Sequence, residues 1–186
     1  AFAPALCNRI DRNTGGIVIA AKTAEGLRVM NQKIRDRELK KYYLCIVHGT
    51  LPRPAGRLEG YILKDEAKKQ VTVSSRPRPG AKTAVTLYET LAVRNGLSLV
   101  RCQLITGRTH QIRAQFAAAG HPLLGDGKYG SERQNKRYGR SYQALYSYRL
   151  EFCFTTDAGA LAPLDGQQFQ VEQVDFVTEY FPGFSL

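Results

Sequence analysis

The chain has 186 residues, 43% of them hydrophobic and 23% charged, which suits one sizeable globular core and makes disorder a poor default. Lys and Arg number 27 against 16 Asp and Glu, a net charge of +11 that attracts polyanions, nucleic acid first among them. No run of about 18 uncharged apolar residues and no basic amphipathic helix stands out, so a membrane surface ranks well behind.

In chain order, CNRIDRNTGG (7–16) reads as a turn-rich loop, and Ile17 to Ala21 as a buried strand. Thr23 is placed to cap a helix running through Glu25, Leu27, Met30 and Ile34 to about Arg37. KKYYLCIVHG (40–49) alternates Tyr43, Cys45 and Val47 with Tyr42, Leu44 and Ile46, a strand that Pro52, Pro54 and Gly56 bring to an end. RLEGYIL, KQVTV, AVTLYETLAV and LSLVRCQLI, spread over 57–105, predict an antiparallel meander. TGRTHQIRAQFAAAGHP (106–122) predicts a short helix with Ile112, Phe116 and Ala119 at helical spacing, Gly120 as its stop and Pro122 beyond. GKYGSERQNKRYGRSYQ (127–143) reads as a basic loop, and ALYSYRLEFCF (144–154) as a strand. The expected fold class is α+β, a mixed, mostly antiparallel sheet with a few packed helices, in one domain over residues 1–186.

Cys7, Cys45, Cys102 and Cys153 are far apart and never form CxxC. They read as reduced, buried thiols, and with no export signal they place the protein in the cytoplasm. Ala1 comes only ten positions before Asp11, so a fragment or a processed product is expected.

Asp11 lies between Arg9 and Arg12 and ahead of Gly15 and Gly16. As a turn, the stretch needs no further explanation. As a site, it offers a carboxylate held charged by guanidinium groups, on a loop whose glycines let a substrate backbone approach. In GRTHQIR (107–113), His110 and Arg113 are spaced to share a helix face, and a helix start beside Arg108 would suit a phosphate. The two segments explain each other if Arg113 reaches Asp11, since a fixed guanidinium would keep the carboxylate charged and oriented. Tyr43 could then stack on a base, although a strand tyrosine is more often core. The basic loops 76–82 and 133–140 would hold an RNA backbone, or simply be solvated.

His48, His110 and His121 lack the spacing of metal ligands, so no metal site is expected. No GxSxG turn presents a serine nucleophile. A non-catalytic RNA-binding module would explain the charge but not the aspartate, tyrosine and arginine motifs together. A metal-dependent nuclease would explain carboxylates near RNA.

These motifs resemble those of the RluA-family pseudouridine synthases. NRIDRNTGG is similar to HRLDRxTSG, KKYYLCIVHG to KxYLALVxG, and LITGRTHQIRAQFAAAGHPLLGDGKYG to TGRTHQIRxH…GHPILGDxxYG, in that order over residues 7 to about 154. The resemblance implies isomerisation of uridine to pseudouridine in structured RNA, rRNA or tRNA, without a cofactor. It implies Asp11 as the catalytic carboxylate, Tyr43 as the tyrosine near the target base, and Arg113 as the partner of the aspartate. Arg9 would help displace the target nucleotide, with Arg12, Arg108, His110 and Lys128 as further substrate contacts. RNA is the implied partner; no membrane and no obligatory protein partner is evident. Asn8, Gly15 and Gln115 stand where the family has His, Ser and His, departures expected to bear on substrate contacts. The family also carries a strand-rich segment before the aspartate motif, so residues 1–186 are expected to form a catalytic domain incomplete on its N-terminal side.

Overall fold

The computed structural model describes residues 1–186. Strands β1 (Ala5–Leu6) and β3 (Ala20–Ala21) pair antiparallel and close the base of the opening loop, which carries β2 (Gly15–Gly16) between them. The continuous strand expected over Ile17 to Ala21 is therefore divided. Ile17 N–H donates to Ser147 O at 2.8 Å, whereas Ile19 N–H turns back to Asn8 Oδ1 at 2.7 Å. Within three residues the backbone serves two different neighbours.

Helix α1 (Ala24–Arg35) starts where its cap predicts, with Thr23 Oγ1 accepting the Gly26 N–H at 3.0 Å. It ends two residues before the expected Arg37, whose φ of +58° turns the chain out of the helix and into β4 (Leu39–His48). Then follow β5 (Ala55–Asp65), β6 (Gln70–Ser74), β7 (Lys82–Arg94) and β8 (Leu97–Leu104). They are antiparallel as expected but do not form a simple meander, because β7 pairs with β5 rather than with β6. Five-residue β6 is left at the sheet edge. Helix α2 (Gln111–Ala118) leads to α3 (Glu132–Tyr138), β9 (Leu145–Phe152), β10 (Gln168–Gln170) and α4 (Asp175–Tyr180). The sheet order is β10-β9-β4-β8-β7-β5-β6, and β2 adds to β9 in parallel.

The central strand β4 is buried on both faces, as its unbroken apolar run requires. Leu44 and Ile46 pack with Leu97, Leu99 and Tyr148 under Phe176 and Val177 of α4. Tyr43, Cys45 and Val47 pack with Cys102 under Ile112 and Phe116 of α2. The sheet is thus a middle layer between α4 and α2, while α1 joins the α2 side through Met30, Leu39, Leu150 and Phe152. Burying side chains such as Phe116 and Phe176 contributes about 1.5–3 kcal/mol each.

Helix α2 is buried from Gln111 through Phe116, and two glutamines fasten it to the sheet. Gln115 Nε2 donates to Ala84 O and Leu58 O, and its Oε1 accepts from Thr86 Oγ1 at 2.7 Å. Gln111 Nε2 donates to Val85 O and Thr86 Oγ1. No helix is long and apolar enough to cross a membrane.

Candidate active site

The aspartate loop is pinned to the sheet by a close approach. Gly15 and Gly16 lie against Tyr146 and Ser147 of β9. A Cβ on Gly15 would stand 2.7 Å from Tyr146 Cε2, and one on Gly16, where φ is +121°, would stand 2.2 Å from Ser147 O. The glycines therefore admit β9, not a substrate backbone as the sequence suggested. Gln143 Nε2 adds bonds to Arg12 O at 2.6 Å and Thr14 Oγ1 at 3.1 Å. Asp11 O accepts the Thr14 N–H, and Asn13 takes the left-handed conformation at φ +65°, so the carboxylate projects from a tight turn.

Beside it, β9 bulges. Tyr42 faces Arg149 while Tyr43 faces Ser147, so Tyr148 is the extra residue. Tyr43 belongs both to the core beneath α2 and to the lining of the cleft. Burial pushes its phenol above the usual range, opposed by a hydrogen bond with Ser147 and reinforced by the Asp11 charge.

The cleft holds about 90 Å³ of free space and brings Arg9, Asp11, Tyr43, Arg108 and His110 together. Arg113 supports it from below, its Nη1 3.5 Å from Asp11 Oδ2. Its closer partner is Asp126, with Nε to Oδ2 at 2.7 Å and Nη2 to Oδ1 at 3.1 Å. Asp126 has a side chain with no exposed surface, and its Oδ1 also accepts the N–H groups of Lys128 and Tyr129. Burial alone would push its carboxyl up. The hydrogen bonds and charge of Arg113, with those two amides, outweigh burial and hold it below the usual carboxylate range. Arg113 is raised in turn by Asp126 and Asp11 against the effect of burial.

His110 takes φ +52° ahead of α2, and its Nδ1 lies 2.7 Å from the Tyr129 hydroxyl, which also accepts the Val71 N–H. Burial lowers the imidazole, with Arg113 and Lys128 adding to the effect and Asp11 opposing it. Arg108 reaches the cleft with its Nε bonded to Thr83 O at 2.8 Å.

Two expected contacts lie elsewhere. Arg12 is exposed and is not part of the lining, and Lys128 directs its Nζ to Lys69 O at 2.7 Å. The departures at Asn8 and Gln115 concern packing rather than the cleft: Asn8 staples the loop to Ile19, and Gln115 is enclosed beneath β7. The region expected as a basic loop at 133–140 is largely α3, capped by Ser131 and ended by Gly139 at φ +69°. Asn135 of that helix accepts the Gly125 N–H and lies 2.9 Å from His48 Nε2, and it donates to Asp126 O, fixing the turn that carries Asp126. Sequence reasoning missed Asp126 and Lys41, which also lines the cleft. The available signal was the GD of the GHPLLGDGKYG motif, which read by itself as a Gly-Asp-Gly turn.

Residues 1–118 match the sequence profile of the RNA pseudouridylate synthase family. The chain is 38% identical over 156 residues to an uncharacterized RNA pseudouridine synthase of Mycoplasma genitalium, covering 81% of this chain and 47% of that protein. It is 32% identical over 156 residues to ribosomal large subunit pseudouridine synthase C of Escherichia coli, covering 81% and 48%. The solved structure of human RNA pseudouridylate synthase domain containing 4 superposes with a TM-score of 0.73 at 23% identity, covering 93% of this chain and 72% of that one. At that identity the likeness speaks for the fold alone. The chain spans about half the length of the curated relatives it matches. With the profile covering well over half of its residues, the chain belongs to the RNA pseudouridylate synthase family.

Proposed function

We propose that the protein isomerises a uridine in rRNA or tRNA to pseudouridine, with Asp11 as the reacting carboxylate and no cofactor. The reaction breaks the bond from N1 to C1′ and forms one from C5 to C1′, while C5 loses a proton and N1 gains one. No electron is transferred, and every atom of the base is retained. The observation that carries the reading is Asp11 at a cleft wall, 3.5 Å from the Arg113 guanidinium and sharing that cleft with Tyr43. An oriented carboxylate can attack C1′, take a ribose proton or add to the uracil ring.

In this reading the target base is flipped into the cleft and meets the Tyr43 ring, because a base inside a helix exposes neither C1′ nor its own faces. Arg9, on the exposed rim of the aspartate loop, helps to displace it. Arg108 and His110 contact the target nucleotide, whereas Arg12 and Lys128 meet RNA beyond it. The names of the curated relatives, which include large-subunit synthases C and D, favour rRNA. A cytoplasmic location accords with four unbridged cysteines, two of them fully buried in the core.

The test uses ribosomal RNA transcribed with C5-tritiated uridine. Tritium should be released by the wild type in the presence of a chelator, and not by Asp11→Asn. Release that persists in the variant would remove Asp11 from the chemistry, and chelator-sensitive strand cleavage would point to a nuclease.

A further inference from the structure

A second, wider groove opens from the catalytic cleft. It holds about 290 Å³ against about 90 Å³, and Lys41, Leu104, Gly107 and Arg108 form the wall common to both. Arg35 and Arg37, from the end of α1 and the turn after it, stand on its far side. Its floor is aliphatic, built from Ile34, Leu39 and Ile105.

The charge here is poorly compensated. Arg35 lies 3.6 Å from the Asp36 carboxylate, but Arg37, Lys41 and Arg108 form no ion pair. Burial and the neighbouring Arg37 charge both lower Lys41, so two like charges are held together without an anion between them. The fold makes room for this arrangement, since a Cβ on Gly107 would stand 3.1 Å from Lys41 Nζ. A cationic rim over an aliphatic floor suits a nucleotide, whose phosphate needs charge and whose ribose and base need apolar surface.

Resting on the reading of the cleft as the site of the target uridine, we propose that the RNA strand leaving it runs along this groove, with its phosphates on Arg35, Arg37 and Lys41. The backbone track then lies between α1 and the β8–α2 connection, not over the loop at 76–82 or helix α3.

The test measures anisotropy of a fluorescent oligouridylate with the full chain over a range of KCl concentrations. Arg35 and Arg37 line only the groove, so the double variant Arg35→Gln, Arg37→Gln leaves the cleft lining intact. It should lower the slope of log affinity against log salt by about 1.4, at about 0.7 per phosphate contact on a single strand. Arg37→Lys should retain most of that slope. The loop double variant Arg76→Gln, Arg78→Gln should leave it unchanged. A wild-type slope in the groove variant, or a larger loss in the loop variant, overturns the groove while the isomerase reading stands. Wild-type binding without salt dependence overturns both. Equal competition by polyglutamate and polyuridylate would show an acidic-peptide groove and overturn the RNA track.

Discussion

Arg113 holds Asp126 more tightly than it holds Asp11: it makes two hydrogen bonds of 2.7 and 3.1 Å to the first and stands 3.5 Å from the second. The two carboxylates also differ in burial, with side-chain exposures of 0% and 25%. One guanidinium therefore joins an enclosed carboxylate to one at the cleft wall, and the two should separate under mutation.

Arg113→Met should cost roughly 3–5 kcal/mol, because it leaves the enclosed Asp126 charge unpaired. Asp11→Asn should abolish turnover yet leave the thermal midpoint and RNA affinity close to wild type, since the amide is nearly isosteric and its site is open to water. Thermal unfolding and pseudouridine formation, measured on both variants, check the contrast. Equal midpoints in the two would show that the Arg113–Asp126 pair contributes little.

Acid should act through the same pair. Asp126 titrates below its usual range when folded, so its ionised form stabilises the protein above about pH 4. That contribution is lost as the pH falls through the folded value, where the native carboxyl at last takes up its proton. Asp126→Asn has no such proton to bind. Its urea midpoint should be lower than wild type near neutrality, and the gap should narrow on going to about pH 3. A gap constant with pH would remove Asp126 from the acid response.

Much of the site was legible because it is built from local spellings. A carboxylate between arginines, Tyr43 in an alternating strand and Arg113 in a helix with a glycine stop are each short-range patterns, and they converge in space. The glycines show where such reading fails. Gly15 and Gly16 were visible as permissive backbone, but only the position of Tyr146 and Ser147, some 130 residues on, shows what they permit. Asp126 was hidden because a turn and an ion-pair partner share one spelling. Helix α3 was hidden because Asn135 is its one buried residue and leaves no apolar period to detect. Its Ser131 cap, Glu132 in the first turn and Gly139 stop were the available signal. Helix α4 has six residues, too few for a periodicity to stand out although Phe176 and Val177 sit in the core.

Gly16→Ala is expected to damage activity more than stability. The added methyl meets backbone on β9 and the φ of +121° suits no L side chain, a strain of about 1–3 kcal/mol that loop displacement relieves. Turnover should fall by about 5- to 150-fold, the factor that energy corresponds to. Hydrogen exchange should rise at the Ile17 amide, which bonds Ser147 O. Protection at Ile17 equal to wild type would show that β2 stays docked.

Gln115→Leu should behave in the opposite way. It removes the acceptor of the buried Thr86 O–H and the side-chain donor to the carbonyls of Ala84 and Leu58, at a cost of about 1–3 kcal/mol. The Michaelis constant for RNA should not change, since Gln115 is absent from the cleft lining. A raised constant with an unaltered melting curve would return this position to substrate recognition.

The attachment of the aspartate loop sets an order of events on warming. Arg113 and Asp126 are buried, whereas the loop bearing Asp11 is joined to the outer edge of β9 by the short Gly15–Gly16 pairing, the Ile17 amide on Ser147 O and the Gln143 side chain. That junction is small beside the ladders of the main sheet, so it should open at a lower free energy than the sheet melts. On warming, the loop should therefore detach reversibly while the rest of the fold is still intact, and substitutions that strengthen the core should raise the melting point without holding Asp11 in place any longer.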